Sequence, residues 1–281
     1  MKRRKQDGVY FFWSASIVIC MLIALFTLGF ASCKKGTPAA SPSAPASESP
    51  EPSPTATGEP PESNTPDVTE SPAAQNTGAR LGETADLGQE YIDKFIFLGD
   101  STTYGLGYYD VVADSQVWTP ENGTLTLAFW STVKIVYPDD GTEIPINEAS
   151  AKKQPEYLMI TLGVNGVSFM DETYFTEEYT KLVQAVQETS PDTRIILNSI
   201  YPISAAYPAE NGITNAKIEA AKGWIERIAN TLGVRYLDSA SVLKNENGAL
   251  PETLNNGGDG LHLNTDGFNL VINYIRTHGY Q

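Results

Sequence analysis

The C-terminal two thirds of the chain alternates short apolar runs with segments of helical periodicity. Runs rich in β-branched and aromatic residues, the composition of buried strands, cover residues 94–98, 156–162, 195–200 and 234–237. A fifth strand is expected in the less regular stretch 125–137. Because this alternation is typical of a parallel sheet covered on both faces, the sequence predicts an α/β fold with a mostly parallel five-stranded sheet.

Three further segments carry apolar residues at helical spacing. These stripes fall within residues 179–186, 218–232 and 268–275, and Gly233 stands where a helix C-cap is expected. Helices in these places would cover both faces of the sheet, which predicts a three-layer α/β/α sandwich. If the strands are ordered 2-1-3-4-5, the ends of the first and third strands meet in the middle of the sheet.

The composition changes sharply before the predicted domain. No aromatic residue lies between Phe30 and Tyr91, and ten of the 18 prolines fall between residues 38 and 72. Such a segment cannot bury enough apolar surface to offset its chain entropy. We therefore expect residues 34–85 to form a disordered Pro/Ser/Ala/Thr-rich linker and residues 86–281 to form one folded domain.

The first 33 residues have the pattern of an export signal. A basic stretch, residues 2–5, precedes an uncharged apolar run, residues 9–32, which ends in Ala31-Ser32-Cys33. This ending resembles the processing site of bacterial lipoproteins, and the resemblance implies lipidation at Cys33. The alternative is an uncleaved membrane anchor, because the run is long enough to span a bilayer. Both alternatives attach the domain to the outer face of the bacterial cytoplasmic membrane.

Charge and residue usage exclude several functions. Residues 86–281 carry 26 acidic and 12 basic residues, so a nucleic-acid partner is not expected. The only two cysteines, Cys20 and Cys33, precede the domain, so it can form no internal disulfide. With two histidines in the whole chain, no metal site is expected, and no organic cofactor is implied. The oligomeric state is left open.

Polar residues that could perform chemistry stand where predicted strands end. Ser101 follows the first strand, and Asn165 follows the strand 156–162. Near the C-terminus, Asp259 precedes His262 by three residues, a spacing that places the two side chains on one side of a turn. Asp259 could then hold the imidazole while its other nitrogen takes the proton of Ser101. Taken singly, these residues have simpler explanations: a helix cap, turn residues and a structural histidine.

Together, the three blocks resemble the GDSL/SGNH hydrolases. The matching residues are Gly99-Asp100-Ser101, Gly163-x-Asn165 and Asp259-x-x-His262, in the order and spacing of that family over residues 95–281. The resemblance implies its flavodoxin-like fold, with Ser101 as nucleophile, His262 as base and Asp259 as the residue that orients it. It also implies an oxyanion site made by the Ser101 N–H, the Asn165 side chain and a glycine N–H.

Two features of the blocks differ from the family pattern or leave a choice. Gly166 stands where the family commonly has an aspartate, a position without a core catalytic role. For the glycine of the oxyanion site, Gly123 is favoured over Gly107. The aromatic residues Tyr104, Tyr108, Tyr109 and Trp118 either line a sugar-binding cleft or pack in the core, and core packing is the simpler interpretation.

The sequence therefore predicts an extracytoplasmic, membrane-tethered serine esterase. We expect small acyl esters, above all acetyl esters of carbohydrate or cell-wall polymer, as substrates. A lysophospholipase or lipase is the near alternative, because the membrane is close. A polysaccharide O-acetyltransferase and an inactive surface binding module are the alternatives from other classes, and reaction with a fluorophosphonate separates an active serine from a binding module.

Overall fold

The computed structural model describes residues 78–281, which contain six α-helices and seven β-strands. The helices are α1 (Gly88–Ile92), α2 (Ser101–Tyr108), α3 (Ile146–Lys153), α4 (Glu172–Thr189), α5 (Asn215–Leu232) and α6 (Thr265–Arg276). The strands are β1 (Phe95–Gly99), β2 (Val117–Trp118), β3 (Lys134–Val136), β4 (Glu143–Pro145), β5 (Tyr157–Thr161), β6 (Arg194–Asn198) and β7 (Arg235–Leu237). Short 3₁₀ turns lie between them.

Five of the strands form one parallel sheet in the order β2-β1-β5-β6-β7. The predicted α/β class and five-stranded sheet are confirmed, and the observed order is the one considered from the sequence. In β1 and β5, Gly99 pairs with Thr161, so the two strands end side by side. A Cβ atom on Gly99 would lie 2.2 Å from the Thr161 carbonyl oxygen, which is why a residue without a side chain ends this strand.

Alternate residues of the strands pack into two separate cores, one on each face of the sheet. Ile96 and Leu98 of β1 join the core that contains the apolar stripes of α4 and α5. Phe95 and Phe97 join the core that contains α1, α2 and α6. Because both faces are covered, the strands are apolar throughout, as expected for a buried parallel sheet.

The fifth strand of the sheet differs from the one expected. The stretch 125–137 does contain a strand, β3, but it pairs with β4 in a separate antiparallel two-stranded sheet. The place beside β1 is taken by β2, where Val117 and Trp118 pair with Phe97 and Leu98. Two residues are too few to produce a recognisable periodicity in the sequence.

The folded part also begins earlier than the predicted boundary at residue 86. Ala79 and Leu81 are buried, and both make backbone hydrogen bonds with Tyr236 of β7. The Arg80 guanidinium pairs with Glu226 and Asp238. Residues 78–85 thus belong to the domain rather than to the linker. The predicted signal segment 1–33, with Cys33, and the rest of the linker lie outside the described residues.

Within residues 78–281, none of the helices combines the length and the apolar character that crossing a membrane requires.

Candidate active site

Ser101 is the first residue of α2, two residues after the end of β1. The preceding residue, Asp100, is the helix N-cap: its carboxylate accepts hydrogen bonds from the Thr102 N–H at 3.0 Å and the Thr102 hydroxyl at 2.8 Å. Because Asp100 fills the capping position, the simpler explanation of Ser101 as a helix cap does not hold. The half-buried Ser101 instead stands where backbone N–H groups of a first helical turn lack helical partners.

Asp259 and His262 lie in the loop before α6 and meet Ser101 there. The Nδ1 atom of His262 lies 2.7 Å from Asp259 Oδ2. The other ring nitrogen, Nε2, lies 2.9 Å from Ser101 Oγ. The structure therefore joins the three side chains in one chain of hydrogen bonds, and His262 is nearly buried within it.

The two oxygens of the Asp259 carboxylate have different partners. Oδ1 accepts from the backbone N–H groups of Leu261 at 2.8 Å and His262 at 2.9 Å, and from the Asn255 side chain at 3.1 Å. Oδ2 faces the imidazole. Burial on its own would raise the pKa of Asp259, but the hydrogen bond and charge of His262, with the two backbone N–H groups, hold this pKa below its ordinary value. The group is therefore an anion at neutral pH.

A local contact joins α2 and α6 near Ser101 and His262. A Cβ atom on Gly105, one turn after Ser101, would lie 2.5 Å from the Phe268 ring of α6. Helix α6 itself begins just after His262, with the Asn264 side chain as its N-cap. The absence of a side chain at Gly105 thus allows the helix that carries the serine to approach the helix that follows the histidine.

Asn165 follows β5, the neighbour of β1, and is nearly buried. Its Nδ2 atom donates to the Leu125 carbonyl oxygen at 3.2 Å. An amide nitrogen carries two hydrogens, so this bond engages only one of them. Because β1 and β5 end at the same edge of the sheet, Asn165 and Ser101 leave that edge from adjacent strands.

The structure does not support Gly123 as a donor to an oxyanion. The Gly123 N–H donates to the Pro120 carbonyl oxygen at 2.8 Å and so closes a turn. Gly123 has a φ of 70° and lies against Tyr104, so its lack of a side chain serves the turn and this contact. The other candidate, Gly107, lies within α2, where backbone N–H groups bond along the helix.

Asp100 is a buried acid beside the serine. It is 1% exposed, and this burial raises its pKa to about 6, although the hydrogen bonds from Thr102 act in the opposite direction. In the sequence Asp100 belongs to the block around Ser101, without a role of its own. Here its carboxylate orders the start of the helix that carries Ser101.

The four aromatic residues near the serine divide into two groups. Trp118 is fully buried and packs near Tyr137 in one of the cores, so it lines no cleft. Tyr104, Tyr108 and Tyr109 are half-buried, and the Tyr104 and Tyr108 rings stack with 6.2 Å between centroids. These three tyrosines lie on or directly after α2, the helix that begins with Ser101.

Two further residues support the Asp259 carboxylate, a role that the sequence pattern did not indicate for either of them. Asn255 is buried and contacts the Asp259 carboxylate. Tyr109 is close enough to Asp259 for the carboxylate charge to help raise the tyrosine pKa, after burial and the neighbouring Tyr108. Asn255 belongs to the run Asn255-Asn256-Gly257-Gly258, which as a sequence indicates only a turn.

Among residues 78–281, no group of three or more histidine, cysteine, aspartate or glutamate side chains is arranged to hold a metal ion.

Comparison with known families identifies the class of protein to which this fold and site belong. The model of the GDSL-like Lipase/Acylhydrolase family matches residues 97–270, which include the serine, asparagine, aspartate and histidine blocks. The chain belongs to this family, and it is a serine hydrolase that acts on ester bonds. None of the curated protein sequences matches it.

Solved structures with a similar fold include three proteins of low sequence identity. A GDSL-like lipase from Bacteroides thetaiotaomicron is 20% identical, with 64% of this chain and 84% of that chain covered and a TM-score of 0.45. The periplasmic domain of a Salmonella Paratyphi A lipopolysaccharide acetyltransferase is 20% identical, with 64% and 81% covered and a TM-score of 0.44. An acetylxylan esterase from Geobacillus stearothermophilus is 16% identical, with 66% and 94% covered and a TM-score of 0.41.

Proposed function

We propose that the protein is a serine esterase in which Ser101, His262 and Asp259 act as a catalytic triad. The observation that carries this proposal is the continuous hydrogen-bonded chain, 2.9 Å from Ser101 Oγ to His262 Nε2 and 2.7 Å from His262 Nδ1 to Asp259 Oδ2. A serine hydroxyl becomes a useful nucleophile when an adjacent base takes its proton. Both contacts lie within the range that such proton transfer needs.

The first half of the reaction forms an acyl-enzyme. Ser101 Oγ attacks the ester carbonyl as its proton passes to His262 Nε2, and Asp259 stabilises the imidazolium through Nδ1. The tetrahedral intermediate then expels the alcohol, which leaves with the proton held at Nε2. The acyl group remains bound to Ser101 Oγ.

The second half of the reaction uses water. His262 takes a proton from a water molecule, which attacks the acyl carbonyl, and the proton returns to Ser101 as the carboxylic acid leaves. In both halves negative charge develops on the carbonyl oxygen. The Ser101 N–H in the first turn of α2 and the second N–H of Asn165 Nδ2 are the donors that we assign to this oxygen.

Small acyl esters, above all acetyl esters of carbohydrate or cell-wall polymer, are the substrates that we assign to the site. The three half-buried tyrosines beside the serine offer flat faces of the kind that stack on sugar rings.

A surface location fits such a substrate. We propose that Cys33 carries the lipid that tethers the enzyme to the outer face of the cytoplasmic membrane. The Pro-rich linker would then hold the domain away from the bilayer.

The experiment that tests this function compares ester substrates of increasing chain length. The full chain, purified in mild detergent, would be assayed on p-nitrophenyl acetate, butyrate and a long-chain ester, with Ser101→Ala as the matched control. We expect serine-dependent hydrolysis that is fastest on acetate, followed by release of acetate from acetylated glycans. A clear preference for the long chain would refute the small-acyl assignment, and full activity of Ser101→Ala would refute the triad.

A further inference from the structure

The turn that carries Asp259 and His262 is closed at its base by a short antiparallel contact. Asn255 and Leu263 form an isolated β-bridge, and the Asn264 N–H donates to the Leu254 carbonyl oxygen at 2.9 Å. The residues between these contacts carry the proposed base and the residue that orients it. The side chain of Asn255 therefore starts at the base of the turn and extends toward both.

One buried amide side chain makes three hydrogen bonds inside this turn. Asn255 Nδ2 donates to Asp259 Oδ1 at 3.1 Å and to the His262 carbonyl oxygen at 2.9 Å. Asn255 Oδ1 accepts from the Gly260 N–H at 3.0 Å. Asn255 is 5% exposed, so water competes little for these bonds.

The chemistry of these bonds requires an amide. Asn255 Nδ2 donates one hydrogen to the Asp259 carboxylate and the other to the His262 carbonyl oxygen, while Asn255 Oδ1 accepts from the Gly260 N–H. An aspartate has no donor for Asp259 and would place a second negative charge beside it. An alanine makes none of the three bonds.

We propose that Asn255 is a positioning residue for the Asp259–His262 pair. It binds Oδ1 of Asp259 and so leaves Oδ2 directed at His262 Nδ1, and it holds both ends of the turn at the separation that places Nε2 beside Ser101. Asn255 makes no hydrogen bond with Ser101 or the reacting atoms, and it acts only through Asp259 and His262. This inference rests on the proposed triad.

The test replaces Asn255 in the full chain and measures turnover and the imidazole hydrogen bond separately. Asn255→Ala removes all three bonds, and Asn255→Asp keeps the acceptor for the Gly260 N–H if the alanine variant does not fold. Asn245→Ala is the matched control, because Asn245 Oδ1 accepts from two backbone N–H groups inside its own turn, at 2.9 and 3.1 Å. That turn contributes no residue to the site.

We expect kcat on p-nitrophenyl acetate to fall about tenfold in the Asn255 variants, with KM within twofold of the wild type and Asn245→Ala unaffected. The second measurement is the proton NMR signal of a hydrogen-bonded imidazole Nδ1–H, which is assigned by its loss in His262→Gln. With only two histidines in the chain, this assignment is simple. The signal should broaden or vanish in the Asn255 variants and persist in Asn245→Ala.

The possible results separate the two proposals. A lower melting temperature with unchanged kcat and an unchanged Nδ1–H signal would show that Asn255 is merely structural and overturn the inference. Absence of serine-dependent turnover in the wild type would overturn the proposed function instead. In that case the Nδ1–H signal alone would decide whether Asn255 orders the Asp259–His262 pair.

Discussion

Two polar side chains of the site, those of Asp259 and Asn165, make a structural contact as well as the contact that catalysis would use. Asp259 binds the loop backbone through Oδ1 and the imidazole through Oδ2. Asn165 binds the Leu125 carbonyl with one N–H and has a second for an oxyanion. Fixed donors and acceptors need little rearrangement as charge develops, and such preorganisation is commonly the largest contribution to catalysis.

The role of Asn165 predicts a defined loss of activity. Asn165→Ala removes one donor to the developing oxyanion and should cost about 3 kcal/mol of transition-state stabilisation, roughly a hundredfold in kcat/KM. The measurement is steady-state kinetics on p-nitrophenyl acetate, with circular dichroism to verify the fold. A kcat/KM within threefold of the wild type would remove Asn165 from the oxyanion site.

The buried carboxyl of Asp100 predicts a pH-dependent stability. Its pKa of about 6 in the folded protein lies above the ordinary 3.8, so the folded state holds this proton more strongly than the unfolded state. The resulting stabilisation is complete below pH 3.8 and is lost as the pH rises through about 6. Asp100→Asn stays neutral at every pH. Its free energy of unfolding should therefore gain about 3 kcal/mol relative to that of the wild type as the pH rises from 3.5 to 7. Urea unfolding at both pH values measures this gain, and a pH-independent difference would contradict it.

Elements that are far apart in the sequence meet at the site. The carboxyl ends of β1 and β5 place Ser101 and Asn165 at one edge of the sheet, but His262 lies in a loop more than 150 residues later. Near the site, α2 and α6 are in contact where Gly105 lies against the Phe268 ring.

This contact predicts opposite effects of one substitution in two helices. Gly105→Ala places a methyl group against the Phe268 ring and should lower the free energy of unfolding by about 1–3 kcal/mol. In Gly223→Ala of α5, the added methyl group meets only the Arg227 side chain, at 3.6 Å. This substitution should raise the free energy of unfolding by about 0.5–1 kcal/mol, because alanine has a higher helix propensity than glycine. Urea unfolding of both variants measures the difference. Equal effects would show that α2 and α6 tolerate a wider separation.

The elements that could be predicted from the sequence are those with a long apolar run or a long helical periodicity. The strands around Phe97, Met159 and Ile196 are continuous apolar runs because both faces are buried, and Gly233 ends α5 in the left-handed conformation expected of a C-cap. The edge strand β2 is two residues long, and β3 pairs outside the main sheet. Their partners are set by tertiary contacts, which local periodicity does not encode.

The residues of the site, like the elements of the fold, could be predicted only in part from the sequence. Ser101, Asp259 and His262 were identified by residue type and order, and the structure places them in contact. The sequence favours Gly123 as an oxyanion donor, but its N–H closes a turn on the Pro120 carbonyl, a contact that the sequence does not reveal. Asn255 acts through bonds across a folded loop, and no spacing in the sequence distinguishes it from an ordinary turn residue.

At the scale of the whole molecule, the domain includes the residues that lead into it from the linker. Ala79 and Leu81 are 5% exposed and bond to the outer edge of β7, which would otherwise be an open edge of the sheet. The exposed Arg80 ion pairs add little to stability, because surface ion pairs are screened by water.

This contact predicts the shortest stable form of the domain. A fragment of residues 78–281 should be more stable to urea than a fragment of residues 86–281 by about 3 kcal/mol, since the shorter one exposes Leu81 and loses backbone bonds to Tyr236. Leu81→Ala in the longer fragment should reproduce much of this loss. Equal stability of the two fragments would show that residues 78–85 do not contribute to the fold.

An activated Ser101 should form a covalent adduct with a serine-directed reagent, and locating this adduct tests its role as the nucleophile. The full chain would be treated with a fluorophosphonate, digested and analysed by mass spectrometry, beside Ser101→Ala and His262→Ala. We expect a single adduct on the peptide that contains Ser101, absent from Ser101→Ala and formed far more slowly in His262→Ala. An adduct on another serine, or equal labelling of His262→Ala, would contradict it.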